Sequence, residues 1–128
     1  MSSMRTPLGR VRNHGAAHAG TGHFIAQRFT AIALIVLGVW FALAAALTMP
    51  APSYEAARVF LASPLNALGV ILLIVIAFYH MALGMQEVIL DYIHRPITKT
   101  LLLLLNALVP LALGAGAVFA VLRINFGA

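Results

Sequence analysis

Cysteine is absent from the chain. Structural disulfides, thiolate zinc sites and iron–sulfur clusters are excluded together, because each draws sulfur ligands from the protein. A redox group held by these residues is therefore ligated by nitrogen, oxygen or thioether. Charge is nearly as scarce: 9% of the 128 residues are charged, and only three of them are acidic. A soluble domain of this length presents a charged surface to water, and this chain cannot. What is abundant is apolar, at 62% of residues, so most of the surface of this single domain faces lipid or other protein. The formal charge of +5 raises the question of nucleic acid. The basic residues form no stripe, however, and flank apolar runs, which is the signature of membrane topology and speaks against a nucleic-acid partner.

Three apolar stretches, about Phe24 to Thr48, Leu65 to Leu90 and Ile97 to Leu122, each exceed the roughly 20 residues that a helix needs to cross the hydrocarbon layer. The reading is an all-α integral membrane protein: a polar N-terminal arm over residues 1–23, then a three-helix transmembrane anchor domain over 24–128. Proline and serine set its boundaries. Met49-Pro50-Ala51-Pro52-Ser53 ends the first span, since proline removes a donor and restricts its neighbour. Ser53-Tyr54-Glu55-Ala56-Ala57-Arg58 reads as a short interfacial helix capped by Ser53. Ser63-Pro64 opens the second span, and His94-Arg95-Pro96 closes it and opens the third. Pro110 is expected to kink the third span without breaking it, because neighbours in a bundle satisfy the freed carbonyl.

Arg5, Arg10, Arg12 and Arg28 lie at the N-terminal side, and Arg95 and Lys99 between the second and third spans; Arg58 and Arg123 fall on the opposite side. This bias predicts a multi-pass protein of a bacterial inner (plasma) membrane with a cytoplasmic N-terminus and a periplasmic C-terminus. The arm and the apolar run after it are both long for a cleaved signal peptide, so the first span is expected to be retained.

Ionisable groups within a span are costly and call for a reason. The second span carries His80, Glu87 and Asp91, with Gly84 among them, at spacings of four, three and four residues. At 3.6 residues per turn these positions share one face, expected to turn toward the interior of a bundle. His80 lies eleven residues before Asp91, hence about 16 Å deeper at 1.5 Å per residue. A neutral imidazole at that depth suits haem iron in an apolar pocket. Gly84, one turn along the face, leaves room for a flat macrocycle or a close helix. The spacing accommodates a plainer reading equally well, in which His80 hydrogen-bonds across to another helix. Likewise Asp91 is near enough to the boundary to be solvated, and Glu87 either snorkels or sits neutral. His14, His18, His23 and His94 all lie near or beyond the cytoplasmic boundary, so a bis-histidine iron takes its second ligand from a partner chain. The four-residue spacing of His14 and His18 is only a faint metal signal in a Gly/Ala-rich arm.

The segment His80-Met81-Ala82-Leu83-Gly84-Met85-Gln86-Glu87-Val88-Ile89-Leu90-Asp91-Tyr92 resembles the second-helix signature of the small hydrophobic, D-type membrane anchor subunit of succinate dehydrogenase (respiratory complex II). There a histidine is followed by glycine four positions on and by Asp-Tyr eleven and twelve positions on. Gln27-Arg28-Phe29-Thr30-Ala31-Ile32 resembles the family's Arg-x-Thr-Ala start of the first helix, and Leu8-Gly9-Arg10 its N-terminal arm. The likeness covers about residues 8 to 96; the third span agrees only in being hydrophobic.

The resemblance implies that His80 is an axial ligand of haem b, shared with a cytochrome b-type anchor subunit that supplies the opposite ligand. It implies that the Tyr92 hydroxyl hydrogen-bonds a carbonyl oxygen of ubiquinone, with Asp91 as its neighbour in that site. Arg28 then lies near a haem propionate or the quinone pocket, the plainer alternative being an anchor to lipid phosphate. An iron–sulfur subunit and a flavoprotein that oxidises succinate complete the implied complex, in which this chain holds no complete catalytic site. Quinone reduction takes two electrons and two protons, and a tyrosine at the membrane edge can donate a hydrogen bond while charge accumulates. Two other readings stay open: the anchor of a related fumarate reductase or other b-type cytochrome, and a cofactor-free small membrane carrier or assembly protein.

Overall fold

A computed structural model describes residues 17–49 and 51–127, with side chains from residue 20 onward. Among them run four helices: α1 (Ala17–Thr48), α2 (Tyr54–Ala62), α3 (Pro64–Tyr92) and α4 (Pro96–Asn125). Three of these carry apolar spans of 29 or 30 residues. At 1.5 Å per residue each is about 43–45 Å long, enough to cross the hydrocarbon layer and both headgroup regions. Such lengths, with no strand among the described residues, make this a multi-pass membrane protein.

The helix ends follow the local chemistry. Pro64 and Pro96 open α3 and α4 at the first turn, where the missing N–H goes unused. Ser63 takes the extended N-cap conformation before α3, but its side chain makes no capping bond. Ser53 does cap α2: its hydroxyl accepts from the Ala56 N–H at 3.1 Å. Pro110 lies inside an unbroken α4. The bounds differ from the sequence reading chiefly at the N-terminus, where α1 starts at Ala17 rather than at Phe24. Residues 17–23, expected in the interfacial arm, are the first turns of α1. Ala17 and Ala19 favour helix, and His23 is tied to α3 by its contact with Glu87, described below. The rest of the expected arm, with Arg5, Arg10, Arg12 and His14, lies outside the described residues, as does Pro50.

Helix α3 is the centre of the fold, packing on α1 along one side and on α4 along the other. Close approach of α1 and α3 depends on Gly69, whose missing Cβ would stand 2.2 Å from the Trp40 ring. On the other side Asn106 Nδ2 donates to the Ala82 carbonyl at 2.8 Å, and Gly114 admits the Phe78 ring, 3.4 Å from where its Cβ would be. Such small-residue contacts and interhelical amide bonds suit helices that gain nothing from expelling water. The short α2 turns Phe60 inward, edge-to-face on Phe41 with ring centroids 6.1 Å apart. Its last carbonyls, which no helical turn satisfies, accept from two other helices: Phe60 O from Asn66 Nδ2, Leu61 O and Ala62 O from Asn125 Nδ2. Buried side chains are few, and large apolar residues are exposed along all three spans. That surface is what lipid and neighbouring subunits would cover.

Candidate functional site

Helices α1 and α3 run antiparallel, and polar residues recur on both at matching heights. On α1 these are His23, Gln27 and Thr30, spaced four and three residues apart; on α3 they are His80 and Glu87, with Gly84 between them at the same spacing. Antiparallel packing sets Thr30 opposite His80 and His23 opposite Glu87, two helical turns apart on each helix.

The contacts follow that register. His80 Nδ1 and Thr30 Oγ1 are 2.8 Å apart. Thr30 is the one buried polar side chain among the described residues, 7% exposed, and its hydroxyl also lies 2.8 Å from the Ala26 carbonyl and 3.1 Å from that of Gln27. His23 Nδ1 pairs with Glu87 Oε1 at 2.7 Å. Between the two pairs Gln27 extends toward Gly84, its Nε2 3.4 Å from where a Cβ would be. Gly84 thus gives α1 room to approach.

These residues surround a cavity of about 520 Å³ lined by His23, Phe24, Gln27, Arg28, His80 and Glu87. Arg28 stacks its guanidinium over the Phe24 ring, 5.2 Å from the centroid. Two buried polar atoms on α1, His23 Nε2 and Gln27 Oε1, have no hydrogen-bond partner among the described residues. Buried polar groups are seldom left so, and their presence beside a cavity marks it as a place for a polar guest. A larger groove of about 750 Å³ lies between α3 and α4, lined by Phe78, Leu83, Asn106, Pro110 and Gly114 among others. No acid, base or imidazole lines it, and it is an apolar surface of the bundle.

Of the residues singled out in the sequence, His80, Glu87 and Arg28 come together at this cavity, and Gly84 lies against Gln27, which lines it. Asp91 and Tyr92 do not. Both are exposed at the end of α3, Tyr92 at 76%, one to two turns beyond Glu87. His94 turns back on the same end, its Nδ1 3.1 Å from the Tyr92 carbonyl, and Lys99 Nζ donates to the Leu90 carbonyl at 3.0 Å. The side chain of His18 lies outside the described ones. Sequence reasoning passed over His23, Gln27 and Thr30 as site residues. Their shared spacing on one face of an apolar helix was the available signal. No group of three His, Cys, Asp or Glu that could hold a metal ion occurs among the described residues; a metal at His80 would have one ligand from this chain.

Residues 2–115 match the family model described as succinate dehydrogenase/fumarate reductase transmembrane subunit. Two curated relatives carry the name succinate dehydrogenase hydrophobic membrane anchor subunit. The one from Rickettsia bellii (strain RML369-C) is 31% identical over 91 residues, covering 70% of each chain. The one from Rickettsia conorii (strain ATCC VR-613 / Malish 7) is 32% identical over 99 residues, covering 76% of this chain and 78% of its own. No solved structure is significantly similar. With three membrane-spanning helices, the resemblance read from His80 to Tyr92, and a family match across most of its length, this chain belongs to the transmembrane anchor subunits of the succinate dehydrogenase/fumarate reductase family.

Proposed function

We propose that this chain anchors a succinate dehydrogenase in a bacterial inner membrane, supplies His80 as one axial ligand to haem b, and contributes Tyr92 and Asp91 to the site where ubiquinone is reduced. The observation that carries the haem assignment is the setting of His80. It is a mid-helix imidazole held through Nδ1 by a buried hydroxyl at 2.8 Å, at the wall of a cavity that also holds orphaned polar atoms. A metal-bound histidine characteristically has its second ring nitrogen hydrogen-bonded in this way.

The residues fit the group chemically. His80 Nε2 makes no bond to the described protein and is available as a ligand. Arg28 and His23, on the cytoplasmic side of His80, suit the carboxylates of propionate groups. When bound, the haem supplies a reversible one-electron couple. This chain provides a single nitrogen at that depth, so the opposite ligand comes from a cytochrome b-type anchor subunit, for which the uncovered apolar flanks leave space. Electrons originate in an iron–sulfur subunit and a flavoprotein, since no cysteine thiolate exists here to hold a cluster.

Tyr92 closes α3 at the membrane edge, and its exposure suits a site completed by other subunits. Its hydroxyl can donate to a quinone carbonyl as negative charge builds there, and Asp91 next to it can hold a proton or orient the site. Tyr92→Phe is expected to lower the rate of succinate-dependent quinone reduction by about 100-fold to 1000-fold, the range for losing one positioned donor or acid, at unchanged haem content. Turnover equal to the parent complex would remove Tyr92 from the site. The cation distribution supports a cytoplasmic N-terminal end of α1: Arg28, Arg95 and Lys99 lie toward that end of the bundle, Arg58 and Arg123 toward the other.

The deciding experiment is co-purification from membranes followed by visible spectroscopy and a succinate–quinone assay. A b-type spectrum in a complex with cytochrome b-type, iron–sulfur and flavoprotein subunits, reducing ubiquinone with succinate, is expected. A complex free of haem, or one inert toward succinate, would overturn the corresponding part.

A further inference from the structure

We infer that Thr30 is a positioning residue: its hydroxyl accepts a hydrogen bond from His80 Nδ1–H, fixing the imidazole tautomer that leaves a lone pair on Nε2. This rests on the reading of His80 as an iron ligand and adds the residue on α1 that makes it one.

The case is one of counting protons. Thr30 Oγ1 has three polar neighbours: the Ala26 carbonyl at 2.8 Å, the Gln27 carbonyl at 3.1 Å and His80 Nδ1 at 2.8 Å. A hydroxyl owns one hydrogen and two lone pairs. The two carbonyls can only accept, so the hydrogen is directed at them, as in the usual threonine bond back to the preceding helical turn. What remains toward His80 is a lone pair, and the proton in the 2.8 Å contact must then sit on Nδ1. A neutral imidazole protonated at Nδ1 is unprotonated at Nε2, the atom free to bind a metal. Were the hydroxyl hydrogen to point at Nδ1 instead, Oγ1 would face two carbonyl oxygens at 2.8 and 3.1 Å with no hydrogen between them, although those carbonyls would keep their helical backbone donors. Nε2 would also carry the proton and could not ligate. Burial sharpens the choice, because Thr30 is 7% exposed and little water can exchange for a missing partner. An N–H donated to an oxygen also makes the ring a stronger electron donor through its far nitrogen.

The test compares Thr30→Val, which keeps the shape and removes the oxygen, with Thr30→Ser, which keeps the oxygen, in the assembled complex. Haem retention, the low-spin electron paramagnetic resonance signal and the haem midpoint potential are the readouts. Thr30→Val is expected to weaken haem retention by about 10-fold or more, to alter the low-spin signal and to raise the potential, while Thr30→Ser stays close to the parent. If Thr30→Val fails to assemble, Thr30→Ala against Thr30→Ser makes the same comparison without the methyl group. Retention, signal and potential all unchanged in Thr30→Val would overturn the inference, and so would equal impairment in the serine and valine variants. His80→Ala distinguishes the two levels. If it strips the haem while Thr30→Val is silent, only the role of Thr30 falls; if it leaves a normal haem spectrum, the ligand assignment and the role of Thr30 fall together.

Discussion

His80→Ala is expected to remove the haem spectrum from the complex that contains this chain, with the subunits still assembled. The size of the effect follows from the geometry. One imidazole lies at mid-helix depth on α3, and the other histidines whose side chains are described, His23 and His94, sit two turns or more toward the end of the bundle where α1 begins. Neither of these two imidazoles can swing into its place. Alanine also leaves the Thr30 hydroxyl with one contact fewer but still bonded to the Ala26 carbonyl at 2.8 Å, so the α1–α3 packing has no new buried orphan to accommodate. Loss of the absorbance with intact assembly separates ligation from folding. A variant that assembles and keeps a six-coordinate low-spin spectrum would refute the assignment. The same logic predicts that the chain expressed alone binds haem weakly, because half of the ligand set is missing.

The second large effect is mechanical. Gly69→Ala would place a methyl carbon 2.2 to 2.8 Å from three atoms of the Trp40 ring, far inside van der Waals contact. An indole is rigid, so relief comes only from a new Trp40 rotamer or from separating α1 and α3. Overpacking of this kind costs about 1–3 kcal/mol, occasionally more. The expected result is a lower thermal stability of the detergent-solubilised complex and a smaller yield. Trp40→Leu should relieve the clash, so that adding Gly69→Ala in that background changes little; the double-mutant cycle then gives a large coupling. Additive effects of the two substitutions would show that Trp40 and Gly69 do not meet. Gly84→Ala offers a contrast, because its methyl would touch only the flexible end of Gln27 at 3.4 Å, and near-parental stability is expected.

How far the sequence speaks is seen by comparing α3 with α1. The three spans, the Ser53 cap and the proline starts were legible because they depend on neighbours in the chain: run length, a missing N–H, a hydroxyl three residues from an amide. The face bearing His80, Gly84 and Glu87 was legible for the same reason, since helical periodicity alone assembles it. Its partner face was not read. His23, Gln27 and Thr30 have the same spacing, but their meaning comes from the antiparallel register of two helices, which no local rule supplies. Glu87 shows the difference best. In the sequence it is an acid without an explanation; in the fold it meets His23 at 2.7 Å. The start of α1 was misplaced for a related reason. Residues 17–23 look like a polar arm until His23 is seen to pack against α3. Asp91 and Tyr92 mark the other boundary, because a site completed by other polypeptides leaves its half exposed on this one.

The fastening of α2 has a consequence for how the bundle can yield. Its carbonyl end is pinned by amides from both α3 and α4, and the nearby Trp40–Gly69 contact leaves no slack between α1 and α3. One end of the molecule is thus a clamped joint, while the cavity opens toward the other, where α1 and α3 are bridged by side chains alone. Any separation of α1 and α3 that widens the cavity is therefore expected to be larger at the cavity end than at the clamped one.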